Sequence, residues 1–192
     1  MQALDLLLNR VSVGRLLAPA PDTAQRELMF RAALRAPDDG QLRPWRFITV
    51  EAEARVQLGE LFASALASDP ACKPEALDKA RAMPLRAPLL VVVVARLSEH
   101  PKVPRQEQVL SAGCAAHSLL LAAQELGFGA IWRTGDLAHH PLVLAGLGVG
   151  VNEQIVGFLY VGSFEGERRT PLALDPAEFV SVWNGLGPVT PA

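Results

Sequence analysis

An uninterrupted aliphatic run, PLLVVVVAR at residues 88–96, dominates the middle of the sequence. A strand with one face in solvent alternates apolar and polar residues, and this run does not alternate. It therefore predicts a strand that is covered on both faces, which requires a layer of structure on each side of a sheet. The run is too short to span a bilayer, because a helical span takes about 20 apolar residues.

Three shorter segments predict further strands. They are RFITV at 46–50, GAIW at 129–132 and IVGFLYVG at 155–162, which contain β-branched and aromatic residues. Segments with helical patterns separate them along the chain. Helices that cover both faces of a small mixed sheet would satisfy this order of elements.

Apolar residues at helical spacing predict the helices. The segments are residues 2–9, 22–36, 51–68, a short stretch that ends near 82, 105–126 and 136–148. Asp22, with Gln25 three residues later, has the pattern of a capping box at the start of the second helix. Pro37 ends that helix, because the residue before a proline is pushed out of the helical conformation.

The length and composition of the chain suit one domain. It has 192 residues, half of them hydrophobic, so a sizeable core is available. We expect a single domain over residues 1–192, with an arm that begins near Ser163 and carries Pro, Gly and isolated aromatic residues. Such an arm needs another surface to lie on.

Charge and cysteine content argue against several functional classes. The net charge of −2 and the pI of about 6.1 disfavour nucleic-acid binding. Cys72 and Cys114 are not closely spaced, so no disulfide framework and no metal site are predicted, and Cys114 is interpreted as a small core residue. The N-terminal stretch lacks the basic start of a signal peptide, so we expect no membrane association and a cytoplasmic location.

Two arginine-containing segments are candidates for ligand binding. In NRVSVGR at 9–15, two arginines and Ser12 suit a phosphate, and the alternative is a solvated helix end. In GFGAIWRTG at 127–135, glycines let the backbone approach a flat ligand and Arg133 follows a strand, and the alternative is a tight helix-to-strand connection. GLGVG at 146–150 follows a helix instead of a strand, so it predicts a turn and not a phosphate loop.

The histidines do not indicate a hydrolase or a metal centre. His139 and His140 are adjacent and have no carboxylate at metal-ligand spacing, so we expect a surface loop. His117 lies near the apolar stripe of the long helix, where a buried or interface histidine is expected rather than a general base.

Five segments, in order and spacing, resemble the nitroreductase family of flavoproteins and its short bacterial members in particular. They are ALDLLLNRVSVGRL, RAPDDGQLRPWRF, DKARAMPLRAPLLVVVVAR, KVPRQEQVLSAGCAAHSLLLAAQELGFGAIWRTG and QIVGFLYVG. The resemblance covers nearly the whole chain. It implies an α+β fold with a central mixed or antiparallel sheet wrapped by helices, in an intertwined homodimer.

The resemblance also implies a cofactor and a reaction. Each subunit would hold one FMN at the dimer interface, NADH or NADPH would reduce flavin N5, and the hydride would pass on to a nitroaromatic, a quinone or a related acceptor. The cofactor carries such chemistry, which agrees with the lack of a recognisable catalytic acid, base or nucleophile. Two alternatives stay open: a flavin-binding sensor or carrier with little reductase activity, and a flavoenzyme of the same fold with dehalogenase or flavin-fragmenting chemistry.

Site residues follow from the matching positions. The resemblance implies that Arg10, Val11 and Ser12 contact the phosphate and ribityl end of FMN. It implies further contacts from Arg35 of the partner subunit and from Asp39 in the adjoining loop. Trp132, Arg133 and Thr134 would contact the other side of the flavin. Arg133 is expected near the pyrimidine edge, where a cation stabilises the anionic reduced flavin. Ala122, Ala123 and Gly127 are implied to contact the nicotinamide nucleotide.

Asp39 departs from the family pattern, because similar proteins have His at that position. A carboxylate beside the flavin would oppose negative charge on the reduced ring unless Arg35 or Arg43 pairs with it. Trp45, in the same loop region, is expected to anchor the loop in the core rather than to stack on flavin.

Overall fold

The computed structural model describes residues 2–183 and 185. Its sheet has four strands: β1 Trp45–Glu51, β2 Leu89–Arg96, β3 Gly129–Arg133 and β4 Glu153–Gly162. Their spatial order is β1-β2-β4-β3, and every neighbouring pair is antiparallel. The four predicted strands are therefore confirmed, and the sheet is antiparallel rather than mixed.

The aliphatic run forms the central strand β2, as predicted. Residues 89–95 are fully buried, and β2 pairs with β1 on one side and with β4 on the other. Leu89, Val91 and Val93 face one core cluster, whereas the residues between them face a second cluster. Each such side chain contributes roughly 1.5–3 kcal/mol when it leaves water, so both covering layers are required.

Helices cover both faces of the sheet. They are α1 Ala3–Leu8, α2 Thr23–Ala33, α3 Ala54–Leu66, α4 Pro74–Ala82, α5 Arg105–Glu125 and α6 Pro141–Gly146. The second and fifth helices pack together on one face, and the third, fourth and sixth cover the other. No helix among residues 2–183 is both long and apolar enough to cross a bilayer.

The predicted capping box of α2 is confirmed. The Gln25 backbone N–H donates to Asp22 Oδ1 at 2.8 Å, and the Asp22 N–H donates to Gln25 Oε1 at 2.9 Å. The helix ends at Ala33, three residues earlier than predicted, and tighter turns carry the chain to Pro37. The third helix starts at Ala54 instead of 51, because Ala52 has a φ of 48° and turns the chain out of β1.

The segment 136–148 contains two short helices where one was predicted. A 3-10 turn at Asp136–His139 precedes α6, and Pro141 occupies the first turn of α6 as expected. His140 adopts the extended conformation that a following proline requires, and its ring accepts the Leu142 N–H at 3.3 Å. The side chain of His140 therefore serves as the N-cap of α6.

Close packing of α3 on α4 depends on Gly59. A Cβ at this position would overlap the Arg81 carbonyl oxygen, which belongs to the backbone and cannot swing away. We expect Gly59→Ala to destabilise the protein by about 1–3 kcal/mol in urea unfolding, because the helices must separate. Ser64→Ala, at an exposed position of the same helix, is the control and should leave the midpoint nearly unchanged. A Gly59→Ala midpoint equal to that of the control would contradict this packing.

An ion pair joins β1 to the first residue of β4. Arg46 donates to both carboxylate oxygens of Glu153 at 2.7 Å, and the Gly150 N–H donates to the same carboxylate at 3.0 Å. The hydrogen bond from Arg46, followed by that from Gly150, lowers the pKa of Glu153 to about 2. Because the folded value lies below the ordinary 4.5, the stabilisation is present above pH 4.5 and is lost as the pH falls towards 2.

Glu153→Gln should therefore lower the stability at pH 7 by about 2 kcal/mol, because a charged hydrogen-bonded pair is lost. The difference from the parent should shrink when urea unfolding is repeated below pH 4.5. Glu60→Gln is the control, since its pair with Arg81 is largely exposed and such pairs contribute little. A difference for Glu153→Gln that persists unchanged at pH 3 would exclude this assignment.

The C-terminal arm leaves the sheet beside the N-terminal segment. Ser163 exchanges backbone hydrogen bonds of 2.8 and 2.7 Å with Leu17, and further along the arm apolar side chains stand in solvent. Phe179 is 68% and Trp183 is 69% exposed in the single chain. The expectation that the arm needs another surface therefore stays a prediction.

Candidate functional site

The segment 10–17 lies beside the edge strand β3. The Val13 N–H donates to the Ala130 carbonyl at 3.0 Å, and a Cβ on Gly129 would lie 2.8 Å from Leu16 Cδ2. A Cβ on Gly14 would lie 4.0 Å from Arg133 Nη2. The fold thus brings the first arginine-containing segment next to the second.

Donors in the first segment are available for a ligand. Within residues 2–183 and 185, the side chains of Arg10 and Ser12 form no hydrogen bond or ion pair. Both residues are half-buried, so they are held near the protein surface but can reach a bound group. Val11 differs, because its side chain is 6% exposed and its N–H is already donated to Gln124. A guanidinium beside a hydroxyl suits a phosphate.

Arg133 has a buried donor without a partner. Its Nε has no hydrogen-bond partner in the part of the chain that the structure describes, and its guanidinium lies 6.0 Å from the centre of the Tyr160 ring. Buried donors are nearly always satisfied, so the Nε of Arg133 is available as a donor to a bound group. Arg133, Thr134 and Arg86 line a cavity of about 130 Å³.

The cavity beside Arg133 is electropositive and apolar in parts. Phe62, Met83 and Tyr160 contribute apolar walls, and Arg86 supplies a second guanidinium. Burial raises the pKa of Tyr160, and the positive charges of Arg86 and Arg133 partly oppose that rise. Arg86 was not among the predicted site residues, because nothing in its local sequence marks it out.

Trp132 lies on the opposite face of the sheet from Arg133. A Cβ on Gly157 would overlap its Nε1, and a Cβ on Gly113 of α5 would lie 3.9 Å from its Cη2. Glycines on the strand and on the helix therefore make room for the indole. Trp132 also lines a groove of about 630 Å³ that runs along α5 to Pro37.

The same groove corrects one prediction about α5. Cys114 is exposed and lines the groove, so its interpretation as a core residue is wrong. The buried face of the helix carries Ala112, Ala116 and Leu119, and Cys114 points away from it. His117 is also exposed in the single chain, so the expectation of a buried histidine is wrong and that of an interface histidine stays a prediction.

The loop that carries Asp39 is held by its neighbour Asp38. The Asp38 carboxylate accepts the backbone N–H groups of Leu42 at 3.0 Å and Arg43 at 2.9 Å. Gly40, Gln41 and Arg43 have φ values of 67°, 52° and 48°. Left-handed residues other than glycine are costly, and they concentrate at functional sites.

Among the described residues, no cation pairs with the Asp39 carboxylate. Its carboxylate accepts only the Gly40 N–H, at 2.8 Å, among the hydrogen bonds and ion pairs of the described residues. The Arg43 guanidinium donates to Gln41 instead, and Arg35 is exposed and forms no ion pair there. Trp45 is 6% exposed in the core, as expected.

The predicted cofactor residues fall into two groups within one chain. Arg35 and Asp39 precede β1, whereas Arg10 and Arg133 lie beside β3, and these strands form opposite edges of the sheet. Three strand spacings separate the two edges by about 14 Å. The fold therefore places the segment that carries Arg10 and Ser12 beside β3, which ends at Arg133, and leaves Arg35 and Asp39 at the other edge of the sheet.

The helix end predicted to contact a nicotinamide nucleotide is partly closed. Ala123 is fully buried, Ala122 is half-buried, and Gly127 is exposed with a φ of 88° that ends the helix. Arg168 of the arm donates to the Phe128 carbonyl at 3.1 Å, which places a cation at the negative end of the helix dipole.

Comparisons with known proteins identify the family of the chain. Residues 7–163 match the Nitroreductase family. The chain is 43% identical over 185 residues to the "Putative NAD(P)H nitroreductase YdjA" of Escherichia coli (strain K12), and the match covers 94% of this chain and 99% of that protein.

Solved structures share the fold at low identity. A nitroreductase-like family protein from Bacillus cereus superposes with a TM-score of 0.83 and 21% identity, over 96% of this chain and 97% of that one. Iodotyrosine deiodinase bound to FMN and 3-iodo-L-tyrosine has a TM-score of 0.70 and 22% identity, over 96% and 99%. The chain therefore belongs to the nitroreductase family, which is a family of oxidoreductases.

Proposed function

We propose that this protein is an FMN-dependent NAD(P)H oxidoreductase that passes a hydride to a nitroaromatic, a quinone or a related acceptor. The orphaned Nε of Arg133, beside a cavity with a second guanidinium, is the observation that carries the proposal. When bound, FMN supplies the hydride chemistry at N5. The family membership and the FMN in a protein of the same fold support this assignment.

Arg10 and Ser12 hold the phosphate in this proposal. Their side chains are free within the described residues, half-buried and adjacent to β3. Val11 contributes through its position in the backbone, because its side chain is in the core. Arg makes paired, charge-assisted hydrogen bonds to phosphate, so Arg10 anchors the charged end of the cofactor.

Arg133, Thr134 and Arg86 act on the ring end. Two guanidinium groups beside a partly apolar cavity favour a ligand that gains negative charge on reduction, because they supply fixed positive charge there. Trp132 packs between Gly157 and Gly113, which fixes the backbone that presents Arg133. No proton donor is needed among these residues for a hydride transfer carried by the cofactor.

We also propose a homodimer with FMN at the subunit interface. Leu4 and Leu8 of α1 are 69% and 72% exposed, Leu110 of α5 is 60% exposed, and the arm exposes further apolar side chains. Apolar surface of this extent on several elements indicates a protein–protein interface. Because Arg35 and Asp39 lie at the sheet edge opposite Arg10, a second copy is the source from which they reach the cofactor.

The nicotinamide nucleotide is proposed to approach the end of α5 through Ala122 and Gly127. Ala123 adds no accessible side chain there. Arg168 offsets the unfavourable helix dipole at this end, and it thereby supports the approach of a charged nucleotide.

The proposal is tested in two steps, first by flavin binding and then by flavin reduction. The purified protein should be yellow, release FMN on denaturation, and bleach near 450 nm when NADH or NADPH is added without oxygen. Reoxidation by nitroaromatic and quinone acceptors then identifies the acceptor class. A bound flavin that stays oxidised would favour the sensor or carrier, and a colourless protein that FMN does not stabilise would end the flavin assignment.

A further inference from the structure

We infer that Gln124 is a positioning residue for the cofactor phosphate: it fixes the peptide that carries Arg10 and thereby sets the phosphate-dependent part of flavin affinity. The inference rests on the proposed function. Gln124 stands near the end of α5, more than a hundred residues along the chain from Arg10, and its side chain is almost fully enclosed, with the residue 5% exposed.

One side chain bonds both peptide units that flank Arg10. Gln124 Nε2 donates to the Asn9 carbonyl at 3.0 Å, and the Val11 N–H donates to Gln124 Oε1 at 3.3 Å. An amide is the side chain that can donate and accept in this way at one site. The backbone before and after Arg10 is therefore locked to α5, and the direction of the Arg10 side chain is set by that lock.

Other supports for this peptide are few. The preceding helix α1 has six residues, none of them buried, and Leu4, Leu7 and Leu8 are exposed in the single chain. The next backbone hydrogen bond along the described chain is that of Val13 to Ala130. Between Asn9 and Val13, Gln124 thus supplies the hydrogen bonds that hold the candidate phosphate segment in place.

The position of Gln124 is itself fixed from the arm. Arg168 Nη2 donates to the Gln124 carbonyl at 3.4 Å and to the Phe128 carbonyl at 3.1 Å, and its guanidinium stacks 4.7 Å from the centre of the Phe164 ring. These contacts hold the last turn of α5. The arm therefore supports the phosphate segment indirectly, through the helix end.

Gln108 provides a matched control on the same helix. It is 1% exposed, and its amide also bridges backbone groups, donating to Ser98 and Val103 carbonyls and accepting the Ser98 N–H. It lies four to five turns away from Gln124 along α5. Loss of Gln108 should therefore cost stability like loss of Gln124, but it should not affect the phosphate segment.

The test compares FMN with riboflavin, which lacks the phosphate. Full-length protein is stripped of flavin, and each flavin is titrated into the parent, Gln124→Met and Gln108→Met while flavin fluorescence is followed. Gln124→Met should lower the FMN affinity about tenfold and leave riboflavin affinity unchanged, because two hydrogen bonds of ordinary strength are lost. Gln108→Met should keep the parent ratio of the two affinities.

Each outcome decides the inference. If Gln124→Met keeps the parent ratio of FMN affinity to riboflavin affinity, for instance because it weakens both equally, its role is merely structural and the inference is overturned. A parent protein that binds neither flavin would overturn the proposed function, and the inference with it. If circular dichroism shows that Gln124→Met does not fold, Gln124→Asn takes its place: it keeps an uncharged amide but is one methylene shorter and cannot bond both peptides, so a fall in the ratio is again expected and an unchanged ratio overturns the inference.

Discussion

Replacing Arg10 by alanine should weaken FMN binding by about 1.5–3 kcal/mol, which corresponds to roughly a 10- to 150-fold rise in Kd. The reason is the loss of a charge-assisted contact to the phosphate from a side chain that has no other partner among the described residues. Fluorescence titration of the flavin-free protein measures the change. Turnover at saturating FMN should recover, because Arg10 anchors the cofactor and is not placed at its reacting atom.

Arg15→Ala is the matched control for this prediction. Arg15 belongs to the same sequence motif but is exposed in the folded chain. Its removal should change the FMN Kd little. Equal effects of the two substitutions would mean that general positive charge attracts the cofactor, whereas an unchanged Kd for Arg10→Ala would remove Arg10 from the site.

The second large effect is expected at Phe62, which supports the cavity beside Arg133. Phe62 is 2% exposed, and its ring meets that of Phe158 edge-on with centroids 5.4 Å apart. Phe62→Ala should lower the free energy of unfolding by about 3–5 kcal/mol, because buried area is lost and a cavity remains. Urea unfolding of the flavin-free protein measures this cost without a contribution from the ligand.

Phe62→Leu separates the loss of stability caused by missing side-chain volume from that caused by missing ring contacts. The leucine fills most of the space, so we expect a clearly smaller loss of stability than for alanine. If Phe62→Ala cost less than 1 kcal/mol, the surrounding helix would have collapsed into the space. The wall of the Arg133 cavity would then be adaptable rather than rigid.

Local signals predicted the fold well. The run 89–95 could only be a doubly covered strand, and Asp22 with Gln25 fixed the start of α2, because both patterns act within a few residues. The starts and ends of helices were less accurate where single residues turn the chain, as Ala52 does with its left-handed φ. The antiparallel sheet order required pairings between distant strands, which periodicity does not encode.

The site was predicted less completely than the fold. The resemblance grouped Arg10 and Ser12 with Arg133, and the fold places those segments side by side. Arg86 and Gln124 were missed because their roles depend on contacts from distant parts of the chain. Cys114 was misplaced because a helix rich in alanine gives little contrast between its buried and exposed faces.

The segment 10–17 also covers part of the sheet edge, because it lies along β3 and the Val13 N–H occupies the Ala130 carbonyl of that edge strand. An uncovered edge strand offers unpaired N–H and C=O groups to other chains, which is a common route to aggregation. Changes that detach this segment should therefore uncover part of the β3 edge and favour association between chains.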